Sequence, residues 1–258
     1  MSGTVRRVTI HLELDDGVAL VTLDHGRGNT LDTDTCKELV IRLEEADAAG
    51  ARSVVLTGSG DMFCAGVDLL ALDEGGARYV GDFLPALSDA FLAVFGFPRP
   101  VVAAVNGHAI AGGMVLAAAC DHRIAADGPG RIGVTELLVG VPFPLAALEI
   151  MRCTYGTTPL PSLIYSGATV TMADALPRGL VDEVVPGEDV LSRARELATR
   201  LGELPAEAFA HTKQQLRQPY HQRIAENRVS DDAQVERMWR SEPALAAVKA
   251  YVEKVLKH

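Results

Sequence analysis

The chain opens on residues that alternate between apolar and polar from Val8 to Leu14, break at Asp15-Asp16-Gly17, and resume as a β-type run from Val18 to Leu23. Alternation on either side of turn-forming residues predicts a β-hairpin, since successive strand side chains point to opposite faces. After a Gly/Asn-bearing loop, His25 to Thr30, the period lengthens. Apolar positions at Cys36, Leu39, Val40, Leu43 and Ala46 share one helical face, with Asp32 as N-cap and Gly50 as the stop. Two unbroken β-branched runs, Ser53–Thr57 and Val101–Val105, predict buried strands, and each empties into a Gly-bearing loop. Between them Leu84, Leu87, Phe91 and Val94 mark a helix that ends before Pro98 and Pro100. An Ala-rich helix starting near Gly112 and a strand over His122–Ala126 follow.

Strand and helix alternating at this rhythm predict an α/β fold with parallel neighbours. Beyond about residue 188 the pattern turns helical throughout, over Asp189–Leu204, Pro205–Gln218 and the closing stretch to His258. The expected division is an α/β core over residues 1–187 and a helical C-terminal region over 188–258, the latter a lobe or an oligomerisation surface.

Composition narrows the function. A net charge of −10 over 258 residues argues against a nucleic-acid partner, because phosphate backbones need a basic field. A phosphorylated small ligand would need a local basic patch instead. The expectation is of no signal peptide and no apolar stretch of the ~18–20 residues a membrane helix requires; the longest candidate, Pro100–Cys120, is broken by Asn106, Gly107, His108, Gly112 and Gly113. The four cysteines, Cys36, Cys64, Cys120 and Cys153, have no metal-like spacing, and reduced thiols in a cytoplasmic protein are expected.

Two segments that follow buried strands carry the candidate chemistry: Phe63-Cys64-Ala65-Gly66-Val67-Asp68, and Asn106 through Gly112-Gly113-Met114. Parallel strands would bring both to one sheet edge, where open α/β folds place ligands. Small residues admit a ligand close to the main chain, and a helix starting at Gly112 aims unsatisfied N–H groups at an anionic oxygen. Two converging donors make an oxyanion hole, and losing one side-chain donor of this kind costs ~3–4 kcal/mol of transition-state stabilisation. Neither segment matches a nucleotide-binding glycine loop. Tight helix packing at Gly112-Gly113 and a simple turn at Gly66 are the alternative readings.

The run Leu56 to Leu69 resembles the first signature block of the enoyl-CoA hydratase/isomerase (crotonase) family, and Val105-Asn106-Gly107-His108-Ala109 through Gly112-Gly113 to Cys120-Asp121 resembles the second. Asn29-Thr30-Leu31, Ser166-Gly167 with Ala173-Asp174-Ala175, and Gly179 to Val185 complete the family's order, so the likeness runs from about residue 6 to the C-terminus. The resemblance implies a crotonase-like spiral of ββα units with a helical C-terminal trimerisation region, assembled as a homotrimer or as a hexamer made of two trimers. It implies an acyl-CoA thioester as substrate, with no cofactor beyond the coenzyme A that the substrate carries. It also implies that the N–H groups of Val67 and Gly112 hold the thioester oxygen, while Ala65, Gly66, Asp68, Leu69 and Gly113 line the ligand path. Arg27, Lys213 and Arg217 are candidates for the phosphate patch; the last two are one helical turn apart and equally read as a solvated face.

Hydratases of the family use two glutamates. Here the position within Gly113-Met114-Val115-Leu116 holds Val115, which cannot orient water or exchange a proton, while Glu136 keeps the other carboxylate. This pattern resembles that of the family's Δ3,Δ2-enoyl-CoA isomerases, in which one base suffices. Leu137, Leu138 and Val139 are expected to raise the Glu136 pKa if it is buried. Other crotonase reactions, and a non-catalytic acyl-CoA binder, are the competing expectations. His108 and Cys64 read as structural. Pocket walls are expected from loops around Leu70–Val80 and Phe143–Leu148.

Overall fold

Ile10–Asp15 (β1) and Val18–Leu23 (β2) form the antiparallel hairpin expected from the alternation, in a computed structural model that describes residues 9–256. Val8, the expected start of the first strand, lies outside the described residues. Asp32 caps Thr33–Ala48 (α1), accepting a hydrogen bond from the Thr35 N–H at 2.6 Å. The chain then repeats one motif three times. Ser53–Gly58 (β3) and Met62–Cys64 (β4) precede Leu69–Gly96 (α2); Val101–Val105 (β5) and His108–Ile110 (β6) precede Gly112–Ala119 (α3); His122–Ala126 (β7) and Arg131–Gly133 (β8) precede a 3₁₀ turn, Glu136–Val139. Leu145–Tyr155 (α4), Leu160–Ser166 (α5), Thr169–Thr171 (β9), Met172–Ala175 (α6) and Glu183–Val185 (β10) follow, then Val190–Gly202 (α7), Ala206–Trp239 (α8) and Glu242–Tyr251 (α9).

Each repeat sends its first strand to a six-stranded sheet of order β1-β2-β3-β5-β7-β10 and its second to a four-stranded sheet of order β4-β6-β8-β9. Only β1 in the first sheet and β9 in the second run antiparallel to their neighbours. This is the crotonase-like spiral. The unbroken apolar runs have a direct reason: Val54, Leu56, Val101, Ala103 and Val105 join the main core, while Val55, Val102 and Ala104 face a second core closed by Val190, Ala194, Leu197 and Ala198 of α7. A central parallel strand buried on both faces has no polar position to alternate with.

Three expectations are corrected. Leu70–Val80 is helix, not loop: α2 starts at Leu69, kinks at Gly76 (φ +56) and carries Pro85 inside. Of the second expected loop only the residues up to Pro144 are irregular, because α4 begins at Leu145. By length and composition α2 is also apolar enough to cross a membrane, which the sequence reading did not register; 56% of its most apolar window is buried inside the fold.

Candidate active site

Strands β4, β6 and β8 are adjacent and parallel, so their ends deliver Ala65–Val67, Ala111–Gly112 and Val134–Glu136 to one edge of the smaller sheet. Gly66 has φ +86, and a Cβ there would sit 2.8 Å from Ala111 Cβ, 2.9 Å from the Ile110 carbonyl and 3.0 Å from the Gly112 nitrogen. Only glycine allows the Gly66–Val67 peptide to abut the Gly112 amide. Leu31 pairs with Val67 as a one-residue parallel bridge: Leu31 N–H donates to the Gly66 carbonyl (2.8 Å) and Asp68 N–H donates to the Leu31 carbonyl (2.9 Å). In a parallel pair the residue enclosed by those two bonds turns its own N–H to the opposite side, so the Val67 N–H points away from Leu31.

Gly112 is the first residue of α3, where the helix supplies no acceptor for its N–H. The preceding Ala111 has φ 53 and ψ −123, a conformation that a residue with a Cβ rarely adopts. It is held there by its N–H on the Gly133 carbonyl (2.8 Å) and its C=O on the Met114 and Val115 N–H groups (2.9 and 3.2 Å). One strained residue therefore ends β6 and starts α3.

Glu136 opens the 3₁₀ turn that follows β8 and is only 8% exposed. Among the described residues its Oε2 is a buried carboxylate oxygen with no hydrogen-bond partner. Burial pushes its pKa up to about 7, with the backbone N–H groups of Glu136 and Thr135 pulling weakly the other way. The direction and the cause, desolvation, agree with the sequence reading; the shielding residues agree only in part. Of the three expected neighbours Val139 is buried, while Leu137 and Leu138 are 43% and 64% exposed; the turn also packs against α5 and α9. Beyond the turn, Val141 N–H donates to the Glu136 carbonyl (3.1 Å), and α8 grips the next residues through Trp239 Nε1 on the Pro142 carbonyl (2.8 Å) and Asp232 Oδ1 accepting from Leu145 N–H (3.4 Å). No local pattern marked Trp239, since its partner lies 97 positions away.

Val115, in the place of a second carboxylate, is buried at 1% exposure within α3. Asp68 N-caps α2 through the Ala71 N–H (2.9 Å) and accepts from Thr30 Oγ1 (3.2 Å); His25 above all holds its carboxyl below the ordinary range. Ala65 and Leu69 flank this turn half-buried, and Arg27 is exposed on the loop whose Gly28 carbonyl accepts from the Ala65 N–H at 2.8 Å. Gly113 has a packing role of its own, since a Cβ there would lie 2.0 Å from the Cys64 carbonyl oxygen. Cys64 is fully buried, its thiol pushed up to about 12 by desolvation, and His108 is half-buried in β6.

Lys213 and Arg217 are neither a phosphate patch nor a solvated face. Both are buried on Asp121, with Lys213 Nζ at 2.7 Å and Arg217 Nη2 at 2.9 Å, and both also donate to main-chain carbonyls, Arg99 for Lys213 and Phe95, Ala119 and Cys120 for Arg217. Their shared helical face was legible; the fact that it faces the core was not.

Several known proteins are similar to this chain. The human mitochondrial Δ3,Δ2-enoyl-CoA isomerase structure superposes with a TM-score of 0.92 at 27% identity, covering 97% of this chain and 99% of that one. The mouse mitochondrial enoyl-CoA delta isomerase 1 is 30% identical over 229 residues, 88% of this chain and 79% of that protein. A putative enoyl-CoA hydratase of Thermus thermophilus is 35% identical over 204 residues, 77% of this chain and 80% of that protein. The family model for enoyl-CoA hydratase/isomerase matches residues 13–258, and with the two-sheet spiral already in hand the chain belongs to the enoyl-CoA hydratase/isomerase family of the crotonase superfamily.

Proposed function

We propose that the protein moves the double bond of a 3-enoyl-CoA to the 2-position with Glu136 as its one acid–base group. The observation that carries this reading is the pairing of a buried Glu136 carboxylate, whose Oε2 has no hydrogen-bond partner, with a buried Val115 where a hydratase of the family has its second carboxylate. The thioester oxygen sits between the N–H groups of Val67 and Gly112. Ionised Glu136 takes a proton from C2, and the C–H electrons flow into a dienolate whose negative charge rests on that oxygen. The protonated Glu136 then returns the same proton to C4; the C3–C4 double bond shifts to C2–C3 and the carbonyl re-forms. No water is consumed, so no second carboxylate is needed to activate one. A base with a pKa near 7 is matched to proton exchange in both directions at neutral pH. The adenine and pantetheine of coenzyme A run past Ala65, Asp68 and Leu69, and of the three candidate cations for its phosphates Arg27 remains. Exposed Leu216 and Val229 on α8 are consistent with assembly into a homotrimer or a hexamer.

The test offers 3-hexenoyl-CoA and crotonyl-CoA separately to the purified protein and identifies products by chromatography and mass. Expected is isomerisation of the first without hydration of the second. Glu136→Gln should lose roughly 10²–10⁴-fold in turnover while still binding acyl-CoA. Robust hydration of crotonyl-CoA, or an active Glu136→Gln, would overturn the single-base assignment.

A further inference from the structure

The loop between β2 and α1 is stitched to the peptide that bears the Val67 donor. Ala65 N–H donates to the Gly28 carbonyl, Leu31 N–H to the Gly66 carbonyl, Asp68 N–H to the Leu31 carbonyl and Thr30 Oγ1 to the Asp68 carboxylate, all between 2.8 and 3.2 Å. In the same corner His25 Nε2 lies 3.4 Å from Asp32 Oδ2 and 3.6 Å from Asp68 Oδ2. Each carboxylate spends its other oxygen on a helix cap: Asp32 Oδ1 accepts from the Thr35 N–H (2.6 Å) at the start of α1, and Asp68 Oδ1 from the Ala71 N–H (2.9 Å) at the start of α2. The Tyr79 hydroxyl, accepting from Thr33 N–H at 3.2 Å, closes this corner from α2. Two carboxylates thus meet at one imidazole nitrogen, one of them adjacent in sequence to Val67. Without a donor between them they repel, and their separation drags the Val67–Asp68 peptide away from Gly112.

We infer that His25 is a positioning residue of the oxyanion hole: by bridging the cap carboxylates Asp32 and Asp68 it holds the Val67 N–H beside Gly112. The inference rests on the reading of Val67 and Gly112 as oxyanion donors, and it assigns His25 no contact with substrate. Misplacing a reacting group by about 1 Å costs on the order of 10²-fold in rate, so a shifted donor lowers turnover much more than affinity.

The experiment reads two quantities on wild type, His25→Leu, His25→Gln and the double variant His25→Leu/Asp32→Asn. One is kcat and KM with 3-hexenoyl-CoA; the other is the ultraviolet enolate band of bound acetoacetyl-CoA, which reports the oxyanion hole whatever reaction the protein performs. His25→Leu should lower kcat and the enolate band about ten- to a hundredfold with KM nearly unchanged. His25→Gln, which keeps a donor, should retain most of both. Asp32→Asn in the Leu background should restore them, because Asn caps a helix as well as Asp while removing one of the opposed charges. The inference is overturned if His25→Leu leaves the band and kcat intact, if Leu and Gln lower both equally together with the melting temperature, or if Asp32→Asn restores nothing. A wild type that shows the enolate band without isomerising would sink the isomerase reading alone. A wild type that binds acetoacetyl-CoA without any band would sink the oxyanion hole, and His25's role with it.

Discussion

At Glu136 one physical cause, desolvation, acts on activity and on stability with opposite pH trends. Because burial puts its pKa near 7, the base is ionised only as pH rises through that value, and kcat/KM should climb across it. A profile flat from pH 5.5 to 8.5 would show that another group accepts the proton. Stability runs the other way. Between the ordinary value of 4.5 and about 7 the folded state keeps a proton that the unfolded chain has released, so stability falls as pH rises through this window. Glu136→Gln removes that loss. Its melting temperature should match wild type near pH 4 and exceed it near pH 8, by an amount corresponding to roughly 3 kcal/mol. Scanning calorimetry at the two pH values checks this, and equal melting temperatures at both would mean the carboxylate is solvated. The residues of this site were legible as positions in a family pattern. Their environment was legible only in part: of the expected shield Val139 is buried but Leu137 and Leu138 face outward, and the helices packed against the turn, α5 and α9, come later in the chain.

The strands that build the site are among the shortest elements in the molecule. β4, β6 and β8 have three residues each, too few for a period-two pattern to appear, so of the three repeats only the longer strands β3, β5 and β7 could be read from the chain. The first half of α2 was hidden for a different reason: Gly75-Gly76 and the charged Asp73, Glu74 and Arg78 interrupt any stripe, and the apolar face becomes continuous only from Val80 onward. What the short strands lack in length they recover in close main-chain approach, and this gives a contrast between two glycines. At Gly113 an added Cβ meets the Cys64 carbonyl at 2.0 Å, whereas at Gly26 (φ +61) it meets nothing within 4 Å. Gly113→Ala should therefore cost about 1–3 kcal/mol or more through forced separation of α3 from β4. Gly26→Ala should cost only the roughly 1–2 kcal/mol of left-handed backbone strain. Urea unfolding of the two variants decides it, and a smaller loss for Gly113→Ala would mean that the sheet yields readily.

Across the whole molecule, α8 fastens the last quarter of the chain to the first three. Its N-terminal half sets Lys213 and Arg217 on Asp121, and its C-terminal half holds Pro142 through Trp239, which also leans on Phe83 of α2 with ring centroids 6.4 Å apart. Asp121→Ala would leave two buried cations without their counter-ion, and a loss of about 3–5 kcal/mol in denaturant unfolding is expected; a loss below about 1 kcal/mol would mean that the main-chain carbonyls alone satisfy them. Contacts between residues 92 to 97 positions apart leave no trace in local periodicity, so the helical tail was legible as helices and not as the clamp they form. The order of synthesis follows from this placement. Arg228 of α8 reaches Pro85 and Asp89 of α2 across 143 and 139 positions. At a translation rate of ~5–20 residues per second, α2 waits roughly seven to thirty seconds for α8. During that interval the α8-facing side of this 28-residue helix, which contains a window apolar enough for a membrane span, lacks its cover. Until then α2 can pack only on elements made before or soon after it, α1 above all, and its α8- and α9-facing side is the last part of the core to be covered.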